Sequence, residues 1–191
     1  MRRAFPQFHP AATAFGAAML AIGLTAAPLA AETPQEMDTL FSELAQTEGE
    51  GWMRAESDIE RIWSRSGSAA LDLLLMRGET ALDAGDIEAA IGHLTALTDH
   101  APDFAAGWTA RANAFAMAGQ TGPAVADLSR ALQLEPRDWN ALKLLGALLE
   151  ESGDPGRAKA AYQASLAINP HQQDAADALA RLSIADLGQD A

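Results

Sequence analysis

From residue 34 onward, apolar side chains recur three and four positions apart, with polar or small residues between them. Met37, Leu40, Phe41 and Leu44 form the first such set, the i, i+3, i+4, i+7 stripe of an amphipathic helix. Thr33-Pro34-Gln35-Glu36 precedes it as a capping box with proline at the first helical position. Glu48-Gly49-Glu50-Gly51 breaks the pattern, and a second helix over about 52–64 carries Ala55, Ile59, Ile62 and Trp63 on one side. Ser66-Gly67-Ser68 ends that helix and caps the next.

Beyond this point the pattern repeats. Gly85, Gly119 and Gly153 are spaced by 34 residues, as are Ala90, Ala124 and Ala158, and Pro102, Pro136 and Pro170. Gly78, Ala112 and Gly146 keep the same register, as do Leu94, Leu128 and Tyr162. A fixed period of this size marks a stacked repeat architecture. Each unit holds two helical patterns, A and B, joined by a glycine turn. Leu71, Leu74, Leu75, Gly78, Ala81 and Leu82 line helix A of the first unit, and Leu94 and Leu97 follow in helix B. Trp108, Ala112 and Phe115, then Ala124, Leu128 and Ala131, do the same in the second; Trp139, Leu142, Leu145, Gly146 and Leu149, then Ala158, Tyr162 and Leu166, in the third.

The punctuation has physical reasons. The glycine at each A–B turn permits the left-handed conformation that ends helix A. Asp86 and Asp154 supply side-chain caps, the latter followed by Pro155 at the first helical position. Pro102, Pro136 and Pro170 end the B helices, because proline disfavours α geometry in the residue before it. The small residues suit close helix crossings, pairing Gly78 with Ala90, Ala112 with Ala124 and Gly146 with Ala158; a leucine at 124 would overpack its crossing.

Taken together, these columns resemble the tetratricopeptide repeat family. The second unit carries Trp108, Arg111, Ala112, Phe115, Gly119, Ala124, Leu128, Ala131 and Pro136 at the family's positions. The third carries Leu142, Leu145, Gly146, Leu149, Gly153, Ala158, Tyr162 and Pro170, with Ser165 where alanine is usual; the first has Ala81 and Leu94 in place of aromatics. The resemblance implies an all-α, right-handed superhelix of about three repeats, at 71–104, 105–138 and 139–172 within a domain over 68–187. Residues 32–67 are expected to form a degenerate helix pair capping the open N-terminal end. Residues 173–187, with Ala176, Leu179, Ala180 and Leu182, read as a helix covering the last unit, as a terminal repeat must, and 188–191 as a frayed tail.

Composition narrows the function. With 49% hydrophobic but only 6% aromatic residues, the 191-residue chain suits closely packed helices. It has no cysteine, which excludes disulfides, thiolate metal sites and a catalytic thiol. A formal charge of −13 opposes binding to nucleic acid phosphates and to anionic lipid. The first 31 residues read as a secretory signal of exported bacterial type: Arg2 and Arg3, an uncharged Ala- and Leu-rich run over about 11–27, then Pro28-Leu29-Ala30-Ala31 with cleavage after Ala31. The expected location is periplasmic or secreted, without stable membrane insertion after cleavage. The alternative is an uncleaved anchor, since 4–31 is long enough to span a bilayer.

Catalytic candidates are few. His93 and His100 stand seven apart on one B helix, away from the i, i+4 spacing of helical metal pairs, and His171 stands alone. No metal, cofactor or catalytic residue is expected. The minor alternative is an enzyme with a carboxylate site among Glu43, Glu48, Glu50 and Glu56, although acids beside glycines on a polar turn are usually just solvated. The family resemblance instead implies a concave groove built from helix A side chains. By register these are Asp72, Leu75, Met76 and Glu79; Ala106, Thr109, Ala110, Asn113 and Met117; Asn140, Lys143, Leu144 and Ala147; then Asp174 and Asp177. Of the set that clamps a terminal carboxylate in some relatives, only Asn113 and Lys143 stand at matching places. The expectation is a non-catalytic scaffold, monomeric or weakly self-associating, holding a peptide or helix of a protein partner. The alternative is a self-associating structural protein of the periplasm.

Overall fold

The computed structural model describes residues 34–46 and 48–189. The expected signal segment over 1–31, the expected cap Thr33 and the last two residues of the expected tail lie outside them. Among the described residues there are nine α-helices: α1 (Pro34–Leu44), α2 (Gly51–Trp63), α3 (Ala69–Asp83), α4 (Ile87–His100), α5 (Ala105–Met117), α6 (Thr121–Leu134), α7 (Trp139–Glu151), α8 (Pro155–Ile168) and α9 (Gln173–Gln189). The last helix continues through Gly188, into the stretch expected to fray.

The three A–B turns are built alike. Gly85, Gly119 and Gly153 have φ of 75°, 69° and 76°. In each, the next residue's N–H donates back to a carbonyl five positions earlier: Asp86 to Ala81 at 2.8 Å, Gln120 to Phe115 at 2.8 Å, and Asp154 to Leu149 at 2.9 Å. This is the Schellman closure of a helix C-terminus, and it needs a residue that tolerates positive φ. The Asp86, Asp138 and Asp154 carboxylates then accept from the N–H three residues on, capping α4, α7 and α8. At the other end of each unit, Ala101, Glu135 and Asn169 precede the prolines in non-helical conformations, which stops α4, α6 and α8.

The core comes in packets shared between neighbouring units. Leu75, Leu82, Ala90, Leu94 and Leu97 of the first unit enclose Ala114 of the second. Ala112, Ala124 and Leu128 meet Ala141 and Leu148 of the third, and Ala158 and Tyr162 meet Ala175, Ala178 and Leu182 of α9. Each pair of helices thus buries one face against the next pair, the condition for a stable solenoid. Leu94, Leu97 and Leu128 are fully buried, each contributing about 1.5–3 kcal/mol.

Two expectations are corrected by the packing. A Cβ on Gly78 would lie 2.5 Å from Leu94, and one on Gly146 would lie 2.9 Å from the Tyr162 ring. The glycines therefore make room for the bulky residue one turn beyond Ala90 and Ala158, rather than meeting those alanines first. The second correction concerns the N-terminal helix pair. Leu44, Ala55 and Ile59 are buried with Trp139, and around them pack Met37, Leu40, Phe41, Trp63 and Ile168. The α1–α2 hairpin does not cap the first unit. It crosses to the third, where its aromatic face buries the indole of Trp139; the first unit has no tryptophan.

Polar contacts fasten the hairpin in place. Arg137 donates to Asp38 at 2.8 Å and lies 3.9 Å from the Phe41 ring centroid. Asn169 donates to Glu56 at 2.7 Å, and Asn140 to Glu60 at 3.2 Å. His171 stacks on Trp52 at 3.9 Å, its Nε2 lying 3.1 Å and 2.9 Å from the carbonyls of Leu44 and Gln46. Two carbonyls can only accept, so that nitrogen carries the proton. Ser165, the departure from alanine noted above, is fully buried; its hydroxyl donates to the Trp139 carbonyl at 2.7 Å and accepts from Gln172 at 2.8 Å. It ties the start of α7 to the α8–α9 turn, the two pieces on which the hairpin rests.

Candidate functional site

The A helices α3, α5 and α7 line a groove of about 1160 Å³. Leu75 and Glu79 of α3, Ala106, Thr109, Ala110 and Asn113 of α5, and Asn140, Lys143, Leu144 and Ala147 of α7 all reach it, joined by Asp174 of α9. The helical period makes this possible, since positions four apart on each A helix turn the same way. Four of the residues assigned by register lie elsewhere. Asp72 accepts from the Ser66 N–H at 2.7 Å and hydroxyl at 2.6 Å, holding the α2–α3 link. Met76 and Met117 are not in the lining and are 55% and 54% exposed. Asp177 accepts from Gln173 on α9.

Register alone does not reveal the other side of the site. Ser57, Glu60, Arg61 and Trp63 of α2 line the same groove, so the hairpin supplies part of its wall. A signal for this was present. Phe41, Trp52 and Trp63 concentrate aromatics in a segment outside the repeats, in a chain with only 6% aromatic residues. Asp103, Phe104, Glu135 and Asp138 from the turns between units, and Arg65 from the link after α2, also line it.

The polar groups of the groove are mostly engaged with one another. Thr109 donates to Asp138 at 2.7 Å across the boundary between two units. Burial pushes the Asp138 carboxyl above the usual range, opposed by its hydrogen bonds from Ala141, Thr109 and Asn140. The Lys143 ammonium lies 2.9 Å from Asp174. Partial burial would raise the Asp174 carboxyl, but the hydrogen bond and charge of Lys143 outweigh it and hold that carboxyl low. Glu79 differs: among the described residues it has no hydrogen bond or ion pair, and the surrounding protein together with Asp83 lifts its pKa. Asn113 and Lys143, the two clamp-like residues, both face the groove.

Two of the remaining candidates for chemistry have structural partners. Glu43 pairs with Arg54 at 3.0 Å, and Glu56 accepts from Asn169. Glu48 and Glu50 are exposed on the α1–α2 turn, as is His100 at the end of α4. Arg111, read from sequence only as part of the repeat pattern, forms a two-pronged pair with Asp127 at 2.7 and 2.8 Å and donates to Thr98 at 2.7 Å. It braces α4, α5 and α6 against one another away from the groove.

Comparison with known proteins agrees with this architecture. A family model described as tetratricopeptide repeat matches residues 75–122 and 118–173. A TPR repeat-containing protein of Rhizobium etli is 29% identical over 142 residues, which span 74% of this chain and 70% of that one. Superkiller complex protein 3 of Mus musculus is 33% identical over 122 residues, 63% of this chain but only 7% of the mouse protein. Among solved structures, MamA covers 83% of this chain and 88% of its own, with a TM-score of 0.59 and 19% identity. The first TPR of Spaghetti (RPAP3) bound to an HSP90 peptide covers 60% and 91%, with a TM-score of 0.58 and 24% identity.

Proposed function

Because the chain belongs to the tetratricopeptide repeat family, we propose that it is a non-catalytic scaffold whose groove holds a segment of a partner protein. One observation carries the reading: a single groove of about 1160 Å³ runs over side chains from three successive A helices, with α2 along its side. Apolar Leu75, Ala110 and Leu144 lie there beside Asn113, Thr109 and Lys143, the mixture of apolar body and fixed polar groups by which grooves select a peptide. In solved relatives the same fold is seen with bound HSP90 and HSP70 peptides. The reading extends to location. Arg2, Arg3 and the uncharged run that follows are those of an export signal cleaved after Ala31, which puts the working protein in the cell envelope.

The test is capture from an envelope extract with the exported chain as bait, against the groove variant Asn113→Trp. Asn113 is an exposed groove residue, so the substitution fills the groove and leaves the core alone. A protein retained by the native bait and lost with the variant supports the scaffold reading. Retention indifferent to the variant moves binding off the groove. N-terminal sequencing of the exported chain, starting at Glu32, tests the location.

A further inference from the structure

We propose that the segment this groove takes is a basic one, with lysine or arginine side chains set between apolar ones. The inference rests on the scaffold reading above and adds the chemistry of the partner. Six carboxylates line the groove, those of Glu60, Glu79, Asp103, Glu135, Asp138 and Asp174, against three cations, Arg61, Arg65 and Lys143. The chain that surrounds it carries a formal charge of −13, so the field at the groove is not reversed by the rest of the surface.

Pairing sharpens the count. Lys143 is bound to Asp174 and Arg61 to Asp58, while Asp103 pairs with Arg130 and Glu135 lies 3.9 Å from Arg137. Among the described residues, the lining carboxylates without an ion pair are therefore Glu60, Glu79 and Asp138, against the one cation Arg65. A terminal carboxylate entering beside Asn113 would have to displace Asp174 from Lys143 and sit among the remaining acids. Glu79 is in the opposite condition. It stands on the α3 wall with no ion pair among the described residues, and partial burial first, then the neighbouring Asp83 carboxylate, raise the cost of its negative charge. An arriving ammonium or guanidinium would offset that cost, whereas an arriving carboxylate would add to it. The apolar share of the lining, Leu75, Ala106, Ala110 and Leu144, accounts for the intervening hydrophobic side chains.

The test uses two labelled peptides, one alternating leucine and lysine and its counterpart alternating leucine and glutamate, titrated by fluorescence anisotropy against the full chain. The lysine peptide is expected to bind the more tightly and to lose binding with Asn113→Trp. Glu79→Gln should weaken it about tenfold, the weight of one charge-assisted contact. Glu88→Gln, the same charge change at an exposed position on α4 outside the groove, should leave it unchanged. If the glutamate peptide binds as well or better and is lost with Asn113→Trp, the basic preference is wrong while the groove stands. Equal weakening by Glu79→Gln and Glu88→Gln also overturns it, since that is diffuse attraction to an acidic chain. If Asn113→Trp affects neither peptide, the groove reading falls first and this inference with it.

Discussion

The indole of Trp63, the last residue of α2, lies 4.7 Å from that of Trp139, the first residue of α7, with the ring planes inclined at 42°. Phe41 closes the group from α1, 6.0 Å from Trp63 and 6.1 Å from Trp139. This aromatic cluster joins a helix pair that is not a repeat to the third repeat, and it sets the side wall of the groove. Around it Leu44, Ala55, Ile59 and Ile168 extend the buried contact and Trp52 stacks on His171, while the exposed ion pair of Arg137 with Asp38 contributes less.

Trp63→Ala should therefore release the hairpin locally. Hydrogen exchange is expected to show α1 and α2 amides losing protection while α3 to α8 keep theirs, the behaviour of a separately opening unit. Trp63→Phe should be tolerated far better. The indole Nε1–H is buried without a hydrogen-bond partner, so phenylalanine loses some packing and also removes an unsatisfied donor. Unchanged protection of α1 and α2 in Trp63→Ala would show that the cluster does not hold the hairpin.

The two A-helix glycines make a second prediction. Gly78→Ala and Gly146→Ala should each destabilise by about 1–3 kcal/mol, by overpacking against Leu94 and Tyr162. Gly92→Ala serves as the opposite case. It lies within α4 with nothing inside 4 Å of an added Cβ, so it should stabilise by about 0.5–1 kcal/mol through helix propensity. Urea unfolding of the three variants reads all three signs, and a stabilised Gly146→Ala would refute the close approach.

Arg111 and Asp127 are a partly buried pair, with side chains 13% and 8% exposed. Asp127→Ala leaves a guanidinium among apolar neighbours with Thr98 as its remaining hydrogen-bonded partner, and should cost about 3–5 kcal/mol. The double variant Arg111→Met with Asp127→Ala should recover part of that loss, because no uncompensated charge remains. Chemical denaturation of the full double-mutant cycle measures it. A double variant no better than Asp127→Ala alone would mean that the two residues are not coupled.

Tyr162 gives a prediction about alkaline pH. Burial, with Glu150 3.3 Å from the phenol oxygen, pushes its pKa up from 10.0 to about 12. The folded state thus holds its proton more tightly than the unfolded chain does. Stability from this group is complete below pH 10 and declines as pH rises from 10 toward 12. The chain has a single tyrosine, so the ultraviolet absorbance of ionised phenol reports it alone. Glu150→Gln should bring the titration down toward the ordinary range; a midpoint near 10 in the native protein would contradict the assignment.

How far the chain could be read in advance varied by element. The repeat helices were legible because each boundary is local. Positive φ at Gly85, Gly119 and Gly153, side-chain caps at Asp86 and Asp154, and non-helical residues before three prolines all act within a turn or two of the backbone. The groove on the A helices came from the family resemblance, carried over by register, and Leu75, Thr109, Asn113 and Lys143 do line the cavity. Met76 and Met117 do not. Register fixes the direction of a side chain along its helix, and whether a neighbouring element reaches that side depends on how the helices stack.

The sequence by itself determined the helices, their pairing and the order of their stacking, because adjacent units bury faces against each other along the chain. Only the tertiary structure decided where the first two helices go. The register carried backwards puts Glu56 in the alanine column of Ala90, but it does not say that Phe41, Trp63, Glu56 and Asp38 find their partners Trp139, Asn169 and Arg137 in the third unit. A contact between elements so far apart in sequence leaves no periodic trace. It forms because burying three aromatic rings together outweighs closing the intervening loop, whose entropic cost grows only slowly with its length.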